Sequence, residues 1–126
     1  MDNFDEKALR QWWADTAALD AEKVVPKAVE YGAGDLEEIG QTMAKVAKMG
    51  DLSEAQATEL GIYYYVVGKM ARWTSAIERG DQVSDDTLLD LTTYLMMARR
   101  TRDVGGWPWA SEVDYPSDDN GQGRLL

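Results

Sequence analysis

The sequence contains no cysteine and no histidine among its 126 residues. Without cysteine, disulfides, thiolate zinc sites, iron–sulfur clusters and cysteine nucleophiles are excluded. Without histidine, the Ser-His-Asp triad and the common imidazole metal sites are excluded as well. Any enzymatic chemistry must therefore rest on carboxylates, lysine, arginine, tyrosine, serine or threonine.

Basic residues are also scarce. The chain has 13 lysines and arginines against 23 aspartates and glutamates, which gives a formal net charge of −10. A chain this acidic does not attract nucleic acid by general electrostatics, so we expect no general nucleic-acid binding. Carboxylates are instead the ligands that a hard cation such as Mg²⁺ prefers.

Long apolar runs are missing as well. No stretch approaches the roughly 18 consecutive apolar residues of a membrane span, and the acidic amino terminus lacks the basic and apolar segments of a secretory signal. We therefore expect no membrane partner and a cytoplasmic location. With 44% hydrophobic residues the chain can form one core. We expect a single domain over residues 1–110 and a flexible acidic and polar tail over 111–126.

Helical periodicity is what the sequence does contain. Apolar residues recur at intervals of three and four positions in four segments. The predicted helices run from about Phe4 to Val24, from Asp35 to Met49, from Ser53 to Arg79, and from just after Asp85 to Arg102. Pro26 and the glycines that follow it are expected to end the first helix, and Gly50 the second. Because the connections are short, the sequence predicts an all-α protein, a four-helix antiparallel bundle with an irregular C-terminal tail.

Two helix starts carry the capping-box pattern, in which a polar residue is followed three positions later by glutamate or glutamine. Asn3 with Glu6 fits this pattern at the first helix, and Ser53 with Gln56 fits it at the third. On the third helix, the apolar set that we expect to face inward is Leu60, Tyr63, Tyr64, Val67, Met70, Ala71, Thr74 and Ile77.

The most informative acidic residues lie beside apolar helix faces, where a carboxylate is costly to bury unless it is paired, protonated or bound to a cation. Three helices supply five of them: Asp35, Glu38, Glu59, Asp86 and Asp90. Asp35 and Glu38 can equally be an N-cap and a first-turn acid, and Glu59 an acid near a helix start. Asp90 can equally accept a hydrogen bond from a buried tyrosine or pair with a lysine. If these carboxylates converge, they form the kind of magnesium site that helix bundles build in their interior.

Few cations are available to contact a phosphate. Lys27, Lys69 and Arg72 are the candidates, although the last two can equally be solvated surface charges. The paired tryptophans near the amino terminus and the three consecutive tyrosines can stack on a base or belong to the core. Together with the six methionines, these aromatic residues exceed what one small bundle buries, so we expect a homodimer or tetramer.

Three segments resemble small bacteriophage-type relatives of the MazG-like all-α nucleotide pyrophosphohydrolases. They are Lys27 to Gly32 before an acidic helix, the helix that opens with Glu59 and carries Gly68 to Arg72, and Asp85 to Tyr94. The resemblance spans roughly residues 27 to 107. It implies a helical bundle, usually oligomeric, that uses Mg²⁺ to cleave a (deoxy)nucleoside triphosphate between its α and β phosphates. The products are nucleoside monophosphate and pyrophosphate.

The resemblance also implies roles for particular residues. The superfamily carries ExxE on one helix and ExxD on a later one, and this chain has DxxE at 35–38 and DxxxD at 86–90. The implied metal ligands are Asp35, Glu38, Asp86 and Asp90. Glu59 would be a further ligand or would orient the attacking water, and with Asp90 it forms the expected catalytic pair. The implied substrate contacts are Lys27, Lys69, Arg72 and Tyr94.

A non-catalytic function is the alternative. The chain would then be a small acidic phage-type helical protein whose aromatic surface binds a host or phage protein. Its high negative charge would favour association with that partner. The two hypotheses differ in the placement of the acids, which are gathered around a pocket in an enzyme and dispersed over the surface in a binding protein.

Overall fold

The computed structural model describes residues 5–32 and 34–109, and the regular secondary structure in these ranges is α-helix. Four helices follow one another: α1 (Glu6–Tyr31), α2 (Leu36–Ala47), α3 (Glu54–Glu78) and α4 (Asp85–Val104). No strand occurs in the described ranges, so the all-α prediction is confirmed. Among these helices none has both the length and the apolar content to cross a membrane. The predicted Asn3 cap and the predicted tail over 111–126 lie outside the described residues.

The chain divides into two compact units, one ending at Tyr31 and the other beginning at Gly32. In the first unit α1 runs through Pro26 without ending there, so the prediction of a helix end near Val24 is wrong. Proline removes one backbone donor from the helix, and the hydrogen bonds on either side continue the helix past it. Asp5 caps the start of α1, because its carboxylate accepts hydrogen bonds from the backbone N–H groups of Lys7 and Ala8 at 3.0 and 3.3 Å.

In the second unit, small residues bring α2 and α3 into close contact. A Cβ added to Gly40 would lie 2.6 Å from the carbonyl carbon of Ala57, and one added to Gly61 would lie 2.7 Å from that of Leu36. Residue 40 therefore faces residue 57 and residue 36 faces residue 61, which makes the two helices antiparallel. The absence of side chains at both glycines is what permits this backbone approach.

The ends of these helices mostly follow the predicted local rules. Ser53 and Gln56 form the expected capping box at the start of α3, and the Ser84 hydroxyl accepts from the Thr87 backbone at the start of α4. α2 ends earlier than predicted, because Lys48 at φ 56° adopts the left-handed conformation of a C-cap two residues before Gly50.

A small core joins the three helices of the second unit. Leu36, Ile62 and Met97 form its buried centre, and partly buried residues such as Tyr65 and Trp107 pack against it. The apolar set predicted to face inward on α3 is largely at the surface: Tyr63, Tyr64, Val67, Met70 and Ile77 are all about half exposed or more. That part of the core prediction is wrong, because α2 and α4 pack on the other faces of α3.

Candidate functional site

Five polar and aromatic side chains from three helices meet on one side of the second unit. We call them the polar cluster: Asp35, Tyr65, Lys69, Asp90 and Tyr94. Its shortest contact is an ion pair between Lys69 Nζ and Asp90 Oδ2 at 2.8 Å. The lysine side chain is 18% exposed and the aspartate side chain 44% exposed, so solvent reaches the carboxylate more readily than the ammonium group.

The tyrosines form the aromatic part of the polar cluster. The rings of Tyr65 and Tyr94 stack in parallel, with centroids 5.5 Å apart and 2° between their planes. The rings of Tyr64 and Tyr65 pack edge to face, with their centroids 5.4 Å apart and 78° between their planes. The Tyr65 hydroxyl donates a long hydrogen bond of 3.5 Å to Asp35 Oδ1. The stack therefore links the start of α2 to the middle of α4.

The environment keeps both phenols protonated. Desolvation is the largest cause that raises the pKa of Tyr65, followed by the charge of Asp35 and the hydrogen bond to it. Desolvation also raises the pKa of Tyr94, followed by the charges of Asp90, Tyr65 and Asp35. At neutral pH both hydroxyls therefore hold their protons and can donate hydrogen bonds.

Helical spacing and antiparallel packing explain why these residues meet. Tyr65 and Lys69 are one turn apart on α3, and Asp90 and Tyr94 are one turn apart on α4, so each pair lies on one face of its helix. Because α3 and α4 run antiparallel, Tyr65 faces Tyr94 and Lys69 faces Asp90. Asp35 occupies the N-cap position of α2 without capping it, since its side chain accepts no bond from the helix backbone. Its carboxylate points to Tyr65 instead.

Four of the residues implied by the resemblance thus come together: Asp35, Lys69, Asp90 and Tyr94. The ion pair of Asp90 with a lysine is one of the alternatives that the sequence left open, and here the structure identifies the lysine. Tyr65 is a member of the polar cluster that sequence reasoning missed. The signal for it is its position one turn before Lys69, which becomes informative once the pairing of α3 with α4 is known.

The other predicted site residues lie elsewhere. Glu38 and Asp86 are exposed near the starts of their helices. Glu59 Oε2 accepts from Arg102 Nη2 at 2.9 Å, about 9 Å along α3 from Tyr65 by helical rise. Lys27 is an exposed residue of α1. Within the described part of the chain, no three carboxylates are grouped as metal ligands.

Arg72 lines a groove of about 530 Å³ at the turn between α3 and α4. A second cation, Arg79, also lines the groove, and its Nε donates a hydrogen bond to Asp81 Oδ2 at 3.1 Å. Thr87 lines the groove one turn before Asp90, and Arg72 lies one turn after Lys69. The groove therefore begins about one helical turn from the ion pair of the polar cluster.

Comparison with known proteins identifies no relative of the chain. The chain matches no family model, no curated protein and no solved structure. The resemblance to MazG-like pyrophosphohydrolases therefore stays a prediction, and the function has to be argued from the residues themselves.

Proposed function

We propose that this chain hydrolyses a (deoxy)nucleoside triphosphate to nucleoside monophosphate and pyrophosphate with the help of Mg²⁺. The convergence of the polar cluster is the observation that carries the proposal. Asp35, Lys69 and Asp90 are far apart in sequence, and the packing of three helices brings them to one partly exposed position. Carboxylates beside a cation and stacked aromatic rings are the groups that a nucleotide and its metal require.

The polar cluster has the donor chemistry that Mg²⁺ prefers. Asp35 and Asp90 supply carboxylate oxygens, and both are close enough to Tyr94 to raise the pKa of its phenol. Mg²⁺ is commonly held by one or two carboxylates, with water and substrate phosphates completing its shell, so two suffice. When bound, the ion supplies charge neutralisation on the phosphates and lowers the pKa of a coordinated water.

The chain's own residues supply the remaining roles. Lys69 is ion-paired with Asp90, and its ammonium group is positioned to pair with a phosphate bound to a metal ion at the same carboxylate. Arg72 faces the adjoining groove, which offers room for the departing phosphates. The hydroxyls of Tyr65 and Tyr94 hold their protons and orient the substrate.

Three predicted site residues make no described contact with the polar cluster, namely Glu38, Glu59 and Asp86. The catalytic role of Glu59 and the metal-binding roles of the other two therefore remain predictions. The same applies to Lys27 as a substrate contact. Glu38 and Asp86 are the nearest of these along the chain, since Glu38 follows Asp35 and Asp86 precedes Asp90 by about one helical turn. A substrate-bound rearrangement would be needed to bring Glu59 in, because its carboxylate is engaged by Arg102.

Pyrophosphate release from a panel of ribo- and deoxynucleoside triphosphates, with Mg²⁺ and with EDTA, tests the hydrolase proposal. Asp90→Asn and Asp35→Asn are expected to reduce release by at least about 100-fold, because each replaces a charged ligand of the metal ion with a neutral one. Asp51→Asn, on the exposed segment between α2 and α3, is the matched control and should leave the rate unchanged. If no triphosphate releases pyrophosphate, or if Asp90→Asn retains the full rate, the hydrolase proposal is wrong.

A second candidate function rests on α1. Trp12 and Trp13 are 60% and 67% exposed, and Leu19 is 59% exposed. None of the described side chains of this 26-residue helix is buried. Because helical stability in proteins comes mostly from packing, such a helix gains from a partner. We propose as the partner a host or phage protein with an apolar groove and a basic rim, since the chain carries a net charge of −10.

Amide hydrogen exchange of the purified chain tests this second candidate without the partner in hand. We expect the α1 amides to exchange much faster than the core amides of α3, because no described side chain of α1 is buried and exposed helical hydrogen bonds open readily. The amides around Ile62, which is 2% exposed, are the internal reference. If α1 exchanges as slowly as this reference, its apolar face is already covered within the purified chain and the candidate is wrong.

A further inference from the structure

An apolar stripe runs along the exposed side of α3. Five residues form this stripe, and we call them the α3 seam: Tyr63, Val67, Met70, Thr74 and Ile77. They follow one another in steps of four, three, four and three residues. The four large members of the seam are 58%, 48%, 48% and 65% exposed in chain order. This spacing is that of the a and d positions of a coiled coil, whose partner is another helix.

The seam is not part of the core of its own unit. Residues that α3 buries, such as Thr58, Ile62 and Ala76, lie about 100° to 140° around the helix from the centre of the seam. Lys69 and Arg72 also point away from the seam, toward the polar cluster and the groove. The seam therefore presents about 21 Å of helix surface without a charged side chain.

We infer that two copies of the chain pair through the α3 seam. Each copy carries a net charge of −10, so two copies repel one another wherever acidic surfaces meet. The uncharged seam is a surface on which they can approach closely. With its flanking Tyr64 and Trp73, the seam exposes on the order of 600 Å² of side chain, which is close to the roughly 800 Å² per partner of a standard interface.

The two α3 helices run antiparallel in this pairing, with the two-fold axis at Met70. The seam extends seven residues to either side of Met70, so Tyr63 of one copy lies beside Ile77 of the second copy. This orientation sets the negative end of one helix dipole beside the positive end of the other. The self-pairing makes the interface isologous and closes the assembly at a dimer. It also specifies the surface for the homo-oligomer that the sequence predicts.

Cysteine cross-linking is a clean test of the pairing because the chain contains no cysteine. Met70→Cys is expected to form a disulfide-linked dimer under mild oxidation, since the axis brings the two sulfur atoms together. Tyr63→Cys and Ile77→Cys are expected to cross-link when mixed and not separately. Val46→Cys, at a position that is 79% exposed on α2, is the control and should stay monomeric. Self-linking of Tyr63→Cys would show parallel helices and overturn the antiparallel pairing.

Sedimentation equilibrium measures the same interface without covalent bonds. The wild-type chain is expected to dimerise at micromolar concentration, and Met70→Glu is expected to weaken dimerisation by about 100-fold or more, because two carboxylates then meet at the axis. Val46→Glu should leave the dissociation constant unchanged, and circular dichroism checks that both variants keep their helix content. A wild-type chain that stays monomeric at about 100 μM, or a Met70→Glu variant that still dimerises, overturns the inference. Neither measurement depends on nucleotide hydrolysis.

Discussion

Two glycines on α3 are expected to respond in opposite ways to the same substitution. Gly61 lies against the backbone of α2, where an added Cβ would be 2.7 Å from the carbonyl carbon of Leu36 and closer still to its oxygen. Among the described residues, no atom outside the local helix backbone lies within 4 Å of a Cβ added to Gly68. Both residues are inside the helix, so alanine gains the same intrinsic helix propensity at each, about 1 kcal/mol.

The structure sets the size of the difference. At Gly68 only the propensity acts, and Gly68→Ala is expected to raise the free energy of unfolding by about 0.5–1 kcal/mol. At Gly61 the new methyl group meets backbone that cannot rotate away, so α2 and α3 must separate until the contact exceeds 3.4 Å. Overpacking of this kind costs about 1–3 kcal/mol and sometimes more. Separation also weakens the packing of Leu36 on Ile62. We expect Gly61→Ala to lower the free energy of unfolding by about 2 kcal/mol net.

Urea unfolding followed by far-ultraviolet circular dichroism measures both values, at one fixed protein concentration so that any dimerisation contributes equally. Gly40→Ala, which meets the backbone of Ala57 in the same way, should repeat the result of Gly61→Ala. If Gly61→Ala stabilises the chain as much as Gly68→Ala does, α2 and α3 do not approach as closely as their backbones indicate.

Two further predictions concern a cap and a pH dependence. Ser53→Ala removes the hydroxyl that accepts a hydrogen bond from Gln56 N at 3.1 Å. It is expected to lower the free energy of unfolding by about 1 kcal/mol in the same urea assay. An unchanged midpoint of urea unfolding would mean that the cap contributes nothing to stability. Because the folded chain raises the pKa of Tyr94, chiefly by desolvation and next through Asp90, the unfolded chain loses this proton first as the pH rises above about 10. The folded state is therefore destabilised from that pH upward. Below that pH, Tyr94 does not make the free energy of unfolding depend on pH. Tyr94→Phe is expected to lose less stability between pH 8 and about 10.5 than the wild type, and equal losses would contradict the assignment.

Local rules account for what was predicted correctly in the fold. The apolar periodicity, the Ser53 capping box and the short connections identify four helices because each depends on residues within a few positions of one another. The same local rules failed at Pro26. A proline is a helix breaker by propensity, but α1 continues through it, and nothing in the neighbouring sequence distinguishes the two outcomes.

The candidate site was only partly predictable for a related reason. The position of Asp90 beside an apolar face could be derived from helical geometry, and so could its need for a partner. The choice of Lys69 as that partner depends on the register between α3 and α4. The same register brings Tyr65 onto Tyr94, and it could not be derived from either helix alone.

The sequence by itself determined the helical class of this protein, the chemistry that its missing cysteine and histidine exclude, and the acidic groups from which any site must be built. These follow from composition and from interactions within one or two helical turns. Only the tertiary structure decided which side of α3 is covered and which charges meet. The close approach at Gly40 and Gly61 fixes how α2 lies on α3, and the pairing with α4 turns the tyrosine stack inward. The uncharged seam is left outside because a helix between two neighbours can bury only the faces that they cover.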